Sequence, residues 1–199
     1  MELPAELRAA LRAAQRVVAL TGAGISAESG LPTFRDAQTG LWAQYRPEDL
    51  ATPSAFRHNP ELVWNWYAWR RTLARQAGPN PGHRALAQFE RLFPAFRLIT
   101  QNVDGLHQRA GSAAVIELHG SLERAKCFDC GAPAEHWAED GPVPPRCARC
   151  GGRLRPDVVW FGEALPTAAI TAAWTAAQSC QVFFSIGTSS LVEPAASLP

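Results

Sequence analysis

Two Cys-x-x-Cys pairs, Cys127/Cys130 and Cys147/Cys150, constrain this chain more than any other feature of it. Sixteen residues separate Cys130 from Cys147, a spacing inside the window of a structural zinc ribbon. In such a ribbon two reverse-turn knuckles place four thiolates around one tetrahedral ion. A disulfide framework is one alternative, but nothing in the sequence marks the chain as secreted. A redox pair is another, and it needs only one Cys-x-x-Cys. Four cysteines leave zinc no open position for a catalytic water, so the role expected is a staple. Nearby Lys126, Arg146, Arg149, Arg153 and Arg155 raise the idea of a nucleic-acid finger. Glu135, Glu139 and Asp140 offset that charge, and no aromatic-basic interleaving marks a base-reading surface. Cys180, alone in an apolar stretch, reads as a buried small hydrophobe.

Outside the cysteine segment, short apolar runs bounded by turn residues read as buried strands of a parallel sheet: 17–21, 96–101, 115–119, 158–161 and 182–187. Helical patterns lie between several of them, at 5–14, 60–76, 82–92 and 167–178. The fold class expected is therefore α/β. A Rossmann-like parallel sheet domain takes residues 1–34, 81–122 and 154–199. A smaller lobe combines a helical insertion, 35–80, with the zinc ribbon, 123–153. Gly78-Pro79-Asn80-Pro81-Gly82 marks a plausible boundary. Within the insertion, Leu62, Trp66, Trp69 and Leu73 follow helical spacing and are expected to form its core stripe.

Composition narrows the function classes. With 47% hydrophobic residues and a net charge of +1, the chain is neither a polybasic nucleic-acid binder nor an acidic disordered tail. No apolar run approaches the roughly 18 residues a membrane helix needs. Residues 1–16 carry Glu2, Pro4 and Glu6 and lack an apolar signal core. Arg8, Arg12 and Arg16 have the spacing of a transit peptide, but the acids favour an ordinary first helix, and a cytoplasmic location is expected. Pro194 is placed to open a helix, yet the sequence ends five residues later, so the domain is expected to be truncated there.

The run Val17–Ala27 is a strand followed by Gly22-x-Gly24-x-x-Ala27. Glycines there let the backbone turn tightly and approach a pyrophosphate. Alone this is a weak signal, and the dehydrogenase version also wants a second strand ending in an acid about 20 residues on. Residues 42–47, Trp-Ala-Gln-Tyr-Arg-Pro, are not such a strand, which disfavours an ordinary NAD dehydrogenase.

The longer run Gly22–Arg35, GAGISAESGLPTFR, resembles the cofactor-loop motif of the sirtuins, the NAD-dependent protein deacylases. Thr100-Gln101-Asn102-Val103-Asp104 resembles their second motif and His119-Gly120 their catalytic pair. The two Cys-x-x-Cys pairs, Val159-Trp160-Phe161-Gly162-Glu163 and Gly187-Thr188-Ser189 follow in the family's order. The resemblance implies NAD as co-substrate, one structural Zn2+, acyl-lysine proteins or peptides as substrates, and no specific nucleic acid or membrane partner. It implies that Gly22, Ala23, Gly24, Ser26, Ala27, Thr33 and Trp42 contact NAD. Phe34 and Arg35 would sit in a mobile loop over it. Gln101, Asn102, Val103 and Asp104 would bind NAD and order the nicotinamide pocket, with Gly187, Thr188 and Ser189 on its phosphate and ribose. Helix N-capping is the plainer reading of Asn102.

His119 ends an apolar strand and so belongs at the sheet edge where ligands bind. Imidazole suits proton transfer near neutral pH. A strand-end histidine bonded to backbone is the bland alternative. The resemblance implies that His119 accepts a proton from the nicotinamide ribose hydroxyls, after the acyl-lysine carbonyl oxygen attacks the anomeric carbon. Val159, Trp160, Phe161 and Gly162 resemble the family's peptide-binding strand. Tyr67 and Arg70, three apart on one helical side, can grip one carboxylate. Tyr-x-x-Arg resembles the mark of the subgroup that removes succinyl and malonyl groups, and Ala51 matches its roomier acyl pocket. Arg71 is expected to be solvated. The resemblance further implies a continuation past Ser189 around the adenine ribose. Two other readings stand beside the deacylase: a weakly active form serving as a peptide- or nucleotide-binding module, and a mono-ADP-ribosyltransferase.

Overall fold

The computed structural model describes residues 4–33, 44–137 and 141–199; Phe34, Arg35 and Trp42 lie outside the described residues. After α1 (Ala5–Ala13) the chain enters β1 (Arg16–Thr21), every residue of which is buried after Arg16. A strand apolar on both faces belongs at the centre of a covered parallel sheet. There β1 pairs with β2 (Ala95–Thr100) on one side and β7 (Val182–Ile186) on the other, and β2 pairs with β3 (Val115–Glu117), all in parallel. The alternation of β1 distributes its side chains. Val17 and Ala19 pack with Phe96, Leu98 and Leu86 of α5 (Pro81–Leu92). Val18 and Leu20 face the other way, toward Ile99, Leu198 and Ala173 of α7 (Thr167–Ser179).

Among the described residues between β1 and α5 run three α-helices, α2 (Pro47–Leu50), α3 (Pro53–His58) and α4 (Pro60–Gln76). The starts of α3 and α4 follow from local chemistry. Each has a first-turn proline, and each is capped, by Thr52 Oγ1 on the Ala55 amide (3.0 Å) and by Asn59 Oδ1 on the Leu62 amide (3.1 Å). A short α6 (Leu106–Arg109) joins β2 to β3. The second sheet is antiparallel, with β4 (Gly120–Cys127) between β5 (Pro133–Ala134) and β6 (Leu154–Val158). Strand β4 ends at Cys127, β5 lies between the two Cys-x-x-Cys pairs and β6 follows the second pair. Helix α4 packs on it through a cluster joining Val63, Trp66, Tyr67 and Ala74 to Leu122, Val158 and Trp160.

Several sequence expectations are corrected here. The strand expected in the parallel sheet at 158–161 is instead β6, which ends at Val158 and belongs to the antiparallel sheet. Strand β3 stops at Glu117, so His119 lies between two sheets rather than at a strand's last position. The stripe of α4 is rotated: Val63, Trp66, Tyr67 and Ala74 are buried, while Leu62, Trp69 and Leu73 are only partly covered. Arg71 is 6% exposed rather than solvated. Its Nε donates to the Leu122 carbonyl at 2.6 Å, and its guanidinium lies 5.6 Å from the Trp64 ring and 4.9 Å from the Trp137 ring. Helical spacing could not reveal this, because an arginine is buried only where a tertiary carbonyl and aromatic faces receive it.

The ends of β1 and β7 interlock. The Gly24 amide donates to the Gly187 carbonyl at 2.8 Å, and a Cβ on Gly24 or on Gly22 would come within 2.8 Å of that same oxygen. Gly187 itself has φ +62, and a Cβ there would collide with the backbone nitrogen of Ile25. Three backbones thus occupy space that side chains would need. Gly187→Ala adds a left-handed conformation to a clash with backbone, and is expected to cost about 2 kcal/mol or more. Thermal denaturation checks it; a wild-type Tm would mean that the interlock is loose.

Candidate functional site

The carboxyl ends of β1, β2 and β7 open onto one cavity of about 720 Å³, within the range of ligand pockets. Gly22, Ala23, Gly24, Ser26 and Thr33 line it from the loop after β1. Gln101, Asn102, Val103 and Asp104 line it from the exit of β2, and Gly187, Thr188 and Ser189 from that of β7. Ala27 is exposed and does not line the cavity; its carbonyl closes the loop by accepting from the Gly30 amide at 2.9 Å. The glycine motif opens into a 3-10 helix, Ala23–Ser29.

That loop is held by a polar network. Ser26 Oγ donates to Asp104 Oδ2 at 2.8 Å and accepts from Asn102 Nδ2 at 3.2 Å. The second Nδ2 proton of Asn102 goes to the Gly22 carbonyl at 3.1 Å, so Asn102 anchors the loop and is not a helix cap. Asp104 Oδ1 accepts from the Leu106 amide at 2.9 Å, just ahead of α6, whose N-cap residue is Gly105. With both amide protons used, Asn102 offers a ligand its carbonyl oxygen.

Buried histidines back the network. His83 Nδ1 accepts from the Asn80 amide at 3.3 Å, which places the ring proton on Nε2, 3.4 Å from Ser26 Oγ. Asn80 Nδ2 donates to the Ile25 carbonyl at 2.6 Å, tying the start of α5 to the loop. His107 Nε2 lies 2.9 Å from Thr21 Oγ1, and its ring centroid is 4.8 Å from that of His83. Burial lowers both from the ordinary histidine range, His107 to about 4, so both rings are neutral at pH 7. Sequence reasoning does not find His83 and His107, since a histidine in a helix gives no pattern of its own.

His119 also lines the cavity, beside the exit of β2. Its Nδ1 is 3.0 Å from the Gln101 carbonyl, an oxygen that only accepts, so Nδ1 carries the proton and Nε2 presents a lone pair. The backbone bond and the chemical role are thus one arrangement. Burial lowers the His119 pKa from its ordinary value, against the opposing pull of the Gln101 hydrogen bond. The Gln101 side chain reaches the other way, to Thr188 Oγ1 at 2.8 Å.

The far wall is aromatic. Tyr67, Arg70, Ala51 and Trp160 line it, with Trp66, Trp69 and Leu73. The last three carry the spacing of a core stripe; helical periodicity does not distinguish a core from a cavity wall. Tyr67 is 1% exposed, and burial pushes its phenol up to about 12, so it stays protonated. The Arg70 guanidinium sits 4.8 Å from the Trp66 ring and 5.6 Å from the Tyr67 ring. Val159, Phe161 and Gly162 border the same cavity in a segment without strand pairing of its own. It is pinned at Val159, whose amide donates to the His119 carbonyl, and at Phe161, whose amide donates to the Ala51 carbonyl, both at 2.9 Å.

Away from this cavity, Cys127, Cys130, Cys147 and Cys150 place four Sγ atoms within 4.8 Å of one another. Cys127 and Cys150 Sγ are 3.5 Å apart, Cys130 and Cys147 Sγ 3.9 Å. Thiolates about 2.3 Å from a tetrahedral zinc stand at such separations. The Cys130 and Gly152 amides point at Cys127 and Cys150 Sγ, both at 3.4 Å, a stabilising surround for charged sulfur. The four cysteines therefore fit one structural Zn2+. Cys180 is half-buried and stands apart. Cys147→Ser is expected to lower zinc from one to near zero equivalents per chain and to loosen Trp137 and Trp64, which meet at 5.9 Å beside the ribbon. Metal analysis and near-ultraviolet dichroism read the two effects; full zinc retention would remove the assignment.

Among the described residues, no helix is long and apolar enough to cross a membrane. The model of the Sir2 family matches residues 22–194. A relative from Aquifex aeolicus (strain VF5), named NAD-dependent protein deacylase, is 55% identical over 184 residues, which is 92% of this chain and 77% of the relative. The crystal structure of a Sir2 homologue in complex with NAD superimposes with a TM-score of 0.91 at 49% identity, covering 100% of this chain and 77% of that one. Sir2 bound to an acetylated peptide superimposes with a TM-score of 0.85 at 34% identity, over 98% of this chain and 79% of the other. The ordered motifs, the paired sheets and the cysteine cluster have one common explanation: the chain belongs to the Sir2 family.

Proposed function

We propose that this chain is an NAD-dependent protein-lysine deacylase, cytoplasmic, that removes succinyl and malonyl groups, and acetyl groups as well, releasing nicotinamide and O-acyl-ADP-ribose. The observation that carries the reading is the shared cavity: His119, Asn102 and Asp104 face the same space as Tyr67 and Arg70. Relatives named NAD-dependent protein deacylase support the reaction class, and the peptide-bound Sir2 neighbour supports an acyl-lysine substrate.

NAD supplies an anomeric carbon with nicotinamide as its leaving group. The loop Gly22–Ser26, Thr33 and the residues Gly187, Thr188 and Ser189 hold it; Phe34, Arg35 and Trp42 belong to the same role by their place in the motif. Gln101, Asn102, Val103 and Asp104 order the nicotinamide end. His119 Nε2, unprotonated, accepts the ribose hydroxyl proton as general base. Val159, Trp160, Phe161 and Gly162 receive the peptide, whose backbone bonding makes flanking sequence a weak determinant. Tyr67 donates one hydrogen bond and Arg70 a charged fork to the acyl carboxylate, with Ala51 leaving room. We read the chain as a sheet domain (1–34, 81–122, 154–199), a helical module (35–80) and a ribbon (123–153), with the pairing of β6 on β4 joining the sheet domain to the ribbon.

Two outcomes test this. His119 works in its neutral form, and burial holds its pKa below 6.5, so kcat/KM should fall on the acid side only below pH 6.5. His119→Ala should lose 100-fold or more in turnover, by an order-of-magnitude estimate. The acyl assignment is tested by mass spectrometry of matched succinyl- and acetyl-lysine peptides with and without NAD. Arg70→Met should depress succinyl turnover relative to acetyl, since an unpaired carboxylate costs on the order of 2–5 kcal/mol. Equal losses on both peptides would make Arg70 structural.

A further inference from the structure

The Tyr67 hydroxyl is not left to orient itself. Trp160, 2% exposed and lining the cavity, donates its Nε1–H to Tyr67 Oη at 3.0 Å. The phenol proton has no acceptor among the described residues. We infer that Trp160 is a positioning residue for acidic acyl groups: its indole N–H occupies a lone pair of the Tyr67 hydroxyl and so turns the phenol proton toward the acyl carboxylate. The inference rests on the deacylase reading above and deepens it, because a tyrosine alone can rotate its hydroxyl and donate elsewhere.

The donor is rigid. The Arg155 guanidinium lies 3.3 Å from the Trp160 ring centroid and is itself 3% exposed. Arg155 is held by Glu163 Oε2 at 2.9 Å and by the Val158 carbonyl at 2.6 Å. Glu163 Oε2 also accepts from the Trp160 backbone amide at 2.8 Å, so one carboxylate fixes both the backbone and the cation on the indole face. Phe56 packs against the same ring with centroids 5.4 Å apart. Burial keeps the phenol protonated, so it remains a donor across the working pH range. An acetyl group has no carboxylate to receive the proton, which makes the effect selective by substrate.

The test is kcat/KM on succinyl- and acetyl-lysine peptides of one sequence, for wild type, Trp160→Phe, Tyr67→Phe and the double variant. Phenylalanine keeps an aromatic face for Arg155 and removes the donor. The succinyl-to-acetyl ratio should fall about three- to tenfold in Trp160→Phe, through KM for the succinyl peptide, as for one lost hydrogen bond. In the Tyr67→Phe background the same change should move the ratio no further. An unchanged ratio in Trp160→Phe overturns the inference, as does an equal fall with and without the Tyr67 hydroxyl. If Trp160→Phe does not fold, 3-benzothienylalanine at 160 keeps the bicyclic ring without the N–H and carries the same expectations. A wild type without succinyl preference sinks the acyl assignment and this inference together; a preference that survives both Trp160 variants sinks the inference alone.

Discussion

The contact between the loop after β1 and the end of β7 fixes the geometry on which everything at the sheet edge depends. The Gly24 amide bonds to the Gly187 carbonyl, and Gly22, Gly24 and Gly187 meet where a Cβ on any of them would lie within 3 Å of backbone. Glycine in such a motif commonly makes room for a ligand. Here a Cβ on any of the three would run into the facing strand exit, so the residues are first a condition for two strand exits to approach each other. Once they do, Ser26 is brought within reach of Asn102 and Asp104, and Thr188 within reach of Gln101. The polar groups of three strand ends then converge on one volume, which is the general reason open parallel sheets bind ligands at their carboxyl edge.

Burial does opposite work on the two walls of that volume. At His119 it disfavours charged imidazole, and with Nδ1 committed to a carbonyl the ring is left with a neutral Nε2. On the aromatic wall it keeps the Tyr67 phenol protonated, as a donor. A low-dielectric cavity therefore carries a neutral imidazole and a neutral phenol at once, because desolvation favours the neutral form of each, while the guanidinium of Arg70 stays charged.

The positions of these walls rely on arginines buried among aromatic rings. Arg71 joins α4 to β4 by bonding to the Leu122 carbonyl between Trp64 and Trp137. Arg155 joins β6 to the 159–163 segment through Glu163 and the face of Trp160. Each satisfies its donors with carbonyls or a carboxylate, as a buried cation must. The ribbon, four cysteines fitting one zinc, shares a core cluster with Trp64 of α4 and with Ala125 and Leu154 of the antiparallel sheet.

Much of this was legible in order along the chain. The spacing of the cysteines determined a closed tetrahedral site, since two knuckles of that size have few other uses. Doubly apolar runs determined a parallel sheet, and β1 and β2 lie where they were expected. The glycine motif, Gln101-Asn102-Val103-Asp104, His119 and Tyr67-x-x-Arg70 named the side chains that share the cavity. Tertiary structure alone decided that 154–158 pairs with β4 instead of extending the parallel sheet, because an apolar run does not state its partner. It alone decided that Arg71 and Arg155 are buried, that His83 braces the loop, and that Trp69, packed against the core, and Leu73 also line the cavity. Those facts depend on groups distant in sequence meeting in space, whereas spacing and periodicity report only what neighbours along the chain can do.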